Sequence, residues 1–249
     1  MRLVVVSDVH GNLTALEAVI EDIARRGVDR VVHGGDLALA GPRPGEVIDR
    51  IRELGWPGVV GNTDELLWRP QGHARQRDRA PQLRTLLRWL FDAYAPYTIE
   101  QIGEERLAWL QDLPAELRID RIAIVHAASG DLWRAPMPDA SNRDLDATYR
   151  PIGAGTVAYG HIHRPFVRVI EDLVVVNAGS AGMPWDDDPR ASYLLLEDGR
   201  VEVIRVDYDI DAEARESKQR AHPDGERLAE MRRVGRFIAP NPFPESPPL

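Results

Sequence analysis

Seven side chains of metal-ligating type stand just beyond the ends of five apolar, strand-like runs, and no other feature restricts the fold of this chain as much. The run 3–7 is followed by Asp8 and His10, and the run 30–33 by Gly34-Gly35-Asp36. Gly58-Val59-Val60 leads into Gly61-Asn62-Thr63-Asp64, the run 122–125 into His126, and the run 156–159 into Gly160-His161-Ile162-His163. In a largely parallel sheet the carboxyl ends of the strands share one edge, where α/β folds place their ligands. Two Asp, one Asn and four His are therefore expected at one site.

Taken singly, each residue has an ordinary reading. Asp8 and Asn62 suit turns or helix caps, and a lone His at a strand end is usually packed or capping. Five blocks of matching donors together point to a site instead. His33, His73 and His222 belong to no such block and are assigned to packing or solvent. Carboxylate, amide oxygen and imidazole suit Mn, Fe, Ni, Co or Zn, while the absence of Cys argues against a thiolate centre. Seven donors exceed the needs of one such ion. A pair about 3.5–4 Å apart, sharing a carboxylate and an activated water, would use them all, as in two-metal phosphoester hydrolysis.

The blocks Asp8-x-His10, Gly35-Asp36, Gly61-Asn62-Thr63-Asp64, His126 and Gly160-His161-Ile162-His163 resemble, in order and spacing, those of the calcineurin-like metallophosphoesterases. Residues 8–13 and Asn177-Ala178-Gly179-Ser180 are similar to turns of the small prokaryotic phosphodiesterase-like branch, and the resemblance covers residues 1 to about 210. It implies one metal at Asp8, His10, Asp36 and His163, a second at Asp36, Asn62, His126 and His161, and Asp36 as the bridge. It also implies catalytic positions at Asn62, Thr63, Asp64 and His161, with Asn12 and Arg164 holding phosphate. Thr63 stands where the family usually has a proton-donating His, and His126-Ala127 replaces the more usual His-Gly. The implied reaction is hydrolysis of a phosphoester, foremost a phosphodiester, by hydroxide. Alternatives are a dinucleoside polyphosphate hydrolase, a protein Ser/Thr phosphatase, or a metal-binding scaffold without turnover, such as the retromer subunit of this fold.

The 249 residues, 43% hydrophobic and 29% charged, suit a protein with a sizeable core. No apolar run approaches 18 residues and no signal-peptide pattern opens the chain, so the expectation is a cytoplasmic protein without a membrane span. A net charge of −9 argues against general nucleic-acid binding and leaves a small phosphoester, a nucleotide among the candidates, as the expected partner. Residues 69–88 run against that sign, with Arg69, Arg75, Arg77, Arg79, Arg84 and Arg88 against Asp78 alone. They form either a solvated helical face or a lid that attracts phosphate.

Helical periodicity at 14–26, with a Thr14-x-x-Glu17 capping box and Gly27 beyond, and at 44–54, with Pro44 and Gly55 at its ends, gives β-α-β-α-β up to Asn62. Residues 65–114 read as a helical insertion and 127–153 as a long loop. From 155 onward strands are expected at 155–159, 166–170, 173–177, 192–197 and 201–207. The expected fold is α/β, a four-layer α/β/β/α sandwich of two mixed sheets, with the catalytic domain spanning 1–215. Residues 216–249, with five Pro after 235, are expected to be a strap or disordered tail.

Overall fold

The computed structural model describes residues 1–69 and 72–244, without the side chains of 73, 74 and 77, so the expectations for His73, Arg77 and the last five residues lie outside it. Strand β1 (Arg2–Val6) buries both faces. Leu3 and Val5 point into the core between two sheets, Val4 and Val6 into a core beneath helices, as strict alternation on a doubly covered strand requires. It pairs in parallel with β2 (Arg30–His33) and antiparallel with β8 (Ala191–Glu197), which carries β9 (Arg200–Val206) at the edge.

The second sheet holds β3 (Glu116–Ile119), β4 (Ile122–Val125), β5 (Thr156–Tyr159), β7 (Leu173–Asn177) and β6 (Phe166–Ile170) in that spatial order. The β4-β5-β7 trio is parallel. Ile124, Ala158 and Val176 face the first sheet, while Ala123, Val157 and Val175 face a third core under α7 (Asn142–Tyr149). Helices α1 (Leu13–Arg26) and α2 (Pro44–Leu54) cover the other side of the first sheet, which completes the four layers.

Several local expectations change. The cap of α1 is Asn12, whose Oδ1 accepts the Ala15 N–H at 2.9 Å, while Thr14 donates to Glu213; there is no Thr14–Glu17 box. Residues 58–60 make a single bridge, His33 to Gly58, because Pro57 lacks an N–H and the Val60 N–H goes to Pro114. Strand β3 was not expected, and helix α7, capped by Ser141, interrupts the expected loop.

After Asn62 comes a short turn of helix, α3 (Asn62–Glu65), then the insertion: α4 (Gly72–Arg79), α5 (Arg84–Arg88), a wider turn over Trp89–Tyr94, and α6 (Ala95–Gln111), broken at Gly103. The chain ends in α8 (Ile210–Gln219) and α9 (Gly225–Val234). The expected boundary at 215 thus falls inside a helix that packs on α1, where Thr14 donates to Glu213 at 2.8 Å, and Glu213 also pairs with Arg43 at the start of α2 at 2.6 Å. In the described residues beyond α9, Phe237 meets Trp185, and the Asn241 carbonyl accepts from Trp89. Among the described residues no helix is long and apolar enough to cross a membrane.

Candidate metal centre and pocket

Every expected donor follows a strand or bridge, five of the seven in a sharply turned backbone. Asp8, His10, Asp36, His161 and His163 all have φ between 50° and 66°. Side-chain-bearing residues occupy that region at a cost on the order of 1 kcal/mol or more, which the surrounding fold must offset. Gly61 and Gly160 make room for the carboxylates, since a Cβ at either would collide with Asp36 or Asp8 respectively.

Two clusters result. Asp8, His10, Asp36 and His163 bring ligand atoms within 4.8 Å of one another. His163 Nε2 lies 3.2 Å from Asp8 Oδ1, and His10 Nε2 lies 3.6 Å from Asp36 Oδ2. The other oxygen of Asp36 lies 3.4 Å from His126 Nε2. Asn62 Oδ1 in turn sits 2.8 Å from His126 Nε2 and 2.9 Å from His161 Nδ1. All seven expected donors are brought together, and Asp36 faces both groups.

The hydrogen bonds behind the rings fix what the site can hold. His10 Nδ1 donates to Leu39 O at 2.9 Å, His163 Nδ1 to Met183 O at 2.6 Å and His126 Nδ1 to Gly34 O at 2.8 Å. In a neutral ring the Nε2 atom then carries a lone pair. Yet His10 Nε2 and His163 Nε2 face each other at 3.1 Å, and His126 Nε2 faces oxygen acceptors. Acceptors aimed at acceptors repel unless a cation lies among them, so this donor set fits divalent ions. Burial holds His10 at about 3 and His163 at about 4, and pushes His161 well down, so these rings are neutral at pH 7. Burial also raises Asp8 and Asp36 to about 6, a penalty on their charge that a bound dication would offset.

Two expected roles are corrected. Asn12 is buried; its Oδ1 caps α1 and its Nδ2 donates to Gly182 O at 3.0 Å and to Tyr208, leaving no atom for phosphate. Asp64 is also buried and accepts the backbone N–H groups of Asp36 (2.8 Å), Leu37 (3.0 Å) and Gly61 (3.1 Å), so it shapes the Asp36 loop rather than meeting substrate. Thr63 does line the cavity above the donors, and its N–H donates to Asp36 Oδ1 at 2.9 Å. Arg164 is exposed at the same cavity, held by its Nε bond to Trp185 O at 2.9 Å, and makes no ion pair among the described residues.

A family model described as the calcineurin-like phosphoesterase superfamily domain matches residues 1–199. The chain belongs to that superfamily. Among its relatives, an uncharacterized protein of Methanocaldococcus jannaschii, MJ0912, is 28% identical over 84% of this chain and 88% of its own. Phosphodiesterase YfcE of Escherichia coli K12 is 26% identical over 83% of this chain and 92% of its own. A metallophosphoesterase structure from Sphaerobacter thermophilus superposes with a TM-score of 0.76, at 25% identity, over 94% of this chain and 99% of that one. In this calcineurin-like phosphoesterase the parts that the sequence did not reveal are the carbonyls behind the histidines, which carry no side-chain signature. The cavity walls were also missed. Leu83, Leu86, Leu87 and Leu90 of the insertion line the cavity above the donors.

Proposed function

We propose that the protein is a phosphodiesterase that works with two divalent ions. Asp8, His10, Asp36 and His163 would hold one, and Asp36, Asn62, His126 and His161 the other. The observation that carries this reading is the division of Asp36, one carboxylate oxygen 3.6 Å from His10 and the other 3.4 Å from His126. The phosphodiesterase named among the relatives supports the same reaction class. Ions in these positions supply Lewis acidity toward a phosphoryl oxygen and bring the pKa of water toward neutrality. The chain's residues do the rest. Burial keeps His10, His161 and His163 neutral and available as donors, and the Arg164 guanidinium at the rim offers hydrogen bonds to a phosphoryl group. Thr63 cannot deliver a proton at neutral pH as an imidazolium can, so esters with acidic leaving groups are favoured.

The test is reconstitution with Mn, metal analysis, and assay of bis(4-nitrophenyl) phosphate. Two ions per chain with turnover are expected. Fewer than one bound ion, or metal-loaded protein without turnover, would overturn the reading.

A further inference from the structure

The cavity above the donors measures about 420 Å³, within the size range of small-molecule sites. One end is polar, formed by Asp36, Asn62, Thr63 and the histidines, and the rest is mostly apolar, with Gln76, Tyr94 and Arg227 as polar interruptions and Arg164 at the rim. Leu83, Leu86, Leu87 and Leu90 come from the insertion, and Leu228 and Met231 from α9. Leu83, Met137 and Phe237 at this cavity are among the few large apolar side chains of the fold that are well exposed, at 42%, 40% and 39%. Exposed apolar side chains gathered at one opening mark a binding surface rather than scatter.

The cations near this cavity do not suit a polyphosphate. Arg227 lines it, but its guanidinium is consumed by Asp224, the Tyr94 hydroxyl and Ile238 O, each at 2.6 Å. In the Arg-rich stretch, Arg69 pairs with Glu65 at 2.8 Å and Arg79 with Asp131 at 2.5 Å, while leucines face inward. Among the described cations that line the cavity, that leaves Arg164, enough for one phosphoryl group beside the donors.

We propose that the site selects phosphoesters whose alcohol is a bulky, uncharged apolar group, alkyl or aryl, seated in the leucine-lined cavity while the phosphoryl group meets the polar end. This deepens the phosphodiesterase reading and rests on it. Hydrolysis of such a diester adds water across one phosphorus–oxygen bond and sends the water's second proton to the departing, more acidic alcohol, while the apolar alcohol in the cavity stays on the phosphate. A nucleoside fits poorly, because its sugar and base bring polar atoms that leucine walls leave without partners.

The experiment uses Mn-loaded full-length protein and a series of 4-nitrophenyl alkyl phosphates with methyl, butyl and octyl groups. KM should fall at least about tenfold from methyl to octyl, since each buried methylene adds to binding, and thymidine 5′-(4-nitrophenyl phosphate) should do no better than methyl. Leu83→Asp combined with Phe237→Ser should collapse the octyl-to-methyl ratio, whereas Val169→Asp, on an exposed strand position away from the cavity, should preserve it. A second arm needs no turnover. Trp133 and Trp185 line the cavity, so octylphosphonate should perturb tryptophan fluorescence of metal-free protein at lower concentration than methylphosphonate, with the effect diminished in Trp133→Phe. A flat KM series, preference for the thymidine ester, or equal affinity for the two phosphonates would overturn the proposal. If no ester is hydrolysed but octylphosphonate binds more tightly, the phosphodiesterase reading fails and the apolar site stands.

Discussion

Arg232→Met is expected to weaken metal binding at a distance. Arg232 lies on α9, only 1% exposed, with no ion pair among the described residues. Its Nη2 donates to Ala40 O at 3.0 Å and its Nε to Gly182 O at 3.2 Å. Those carbonyls adjoin the two that orient the first histidine pair: Leu39 accepts from His10, and Met183 accepts from His163. One buried guanidinium therefore ties both loops together. Losing two hydrogen bonds from a charged donor costs about 3–6 kcal/mol in gross terms. Removing an unpaired buried charge returns several kcal/mol, so net stability should move by no more than ~2 kcal/mol in either direction. The Gly182 carbonyl keeps its Asn12 partner at 3.0 Å, which leaves Ala40 O as the acceptor that loses most. Partners that orient a metal ligand are worth roughly 10–100-fold in affinity, and Arg232 acts one residue further out, so about tenfold weaker Mn binding is expected. Chelator competition near neutral pH measures the affinity, and urea unfolding of the metal-free protein measures stability. Arg232→Lys, which can keep one of the two bonds, should fall between. Unchanged Mn affinity in Arg232→Met would refute the coupling and leave Arg232 a packing residue.

Asp36→Asn should reduce turnover more than about a hundredfold and prevent loading of a second ion while preserving the fold, checked by metal analysis and circular dichroism. Gly160→Ala should act on the same readout through sterics alone, since the added methyl meets Asp8 and Ser7; normal metal content would contradict the close approach. Thr63→His should raise alkyl ester turnover by about tenfold, the low side of a positioned general acid, and leave aryl diesters nearly unchanged. His33 is fully buried and held at about 3 by burial, below its unfolded value of 6.5. The unfolded chain therefore binds the extra proton between those values, so this contribution is intact above pH 6.5 and declines on acidification. His33→Leu should flatten the acid-side slope of unfolding free energy by about 1.4 kcal/mol per pH unit, and parallel slopes would show that His33 is protonated in the folded state.

The gathering of the seven candidate donors was legible because each stands just beyond an apolar run, and the strand edge that gathers the runs follows from their parallel pairing. Parts of the scaffold were not, for physical reasons. Helix α8 has few apolar residues, Ile210, Ala212 and Ala214; it buries Glu213 against Arg43 and Thr14, a polar attachment that hydrophobic patterning cannot register. The run 58–60 reads as strand by composition, but pairing depends on where its N–H groups go, and Val60 turns to Pro114. Asn12 illustrates the reverse error. Its neighbourhood in sequence suggests a phosphate contact, while its buried amide is fully spent on α1 and the loop at Gly182.

The two halves of the site are built on different material, and this has a consequence for how they change. The donors hang on strand ends whose backbone is fixed by two packed sheets, and they are further tied by carbonyls of adjoining loops. The apolar cavity is walled by the insertion, by α9 and by the segment after it, elements joined to the sheets by side-chain packing and a few polar contacts. Substitutions at Leu83 or Phe237 alter volume and polarity where no ligand-orienting bond is made, so they should shift which ester is preferred without shifting metal affinity. Arg232 is the exception, because it belongs to the cavity-forming helix yet bonds to both ligand-bearing loops. A change that displaces α9 as a whole should therefore disturb substrate choice and metal binding together, while a change confined to the cavity-facing side chains Leu228 and Met231 should separate them.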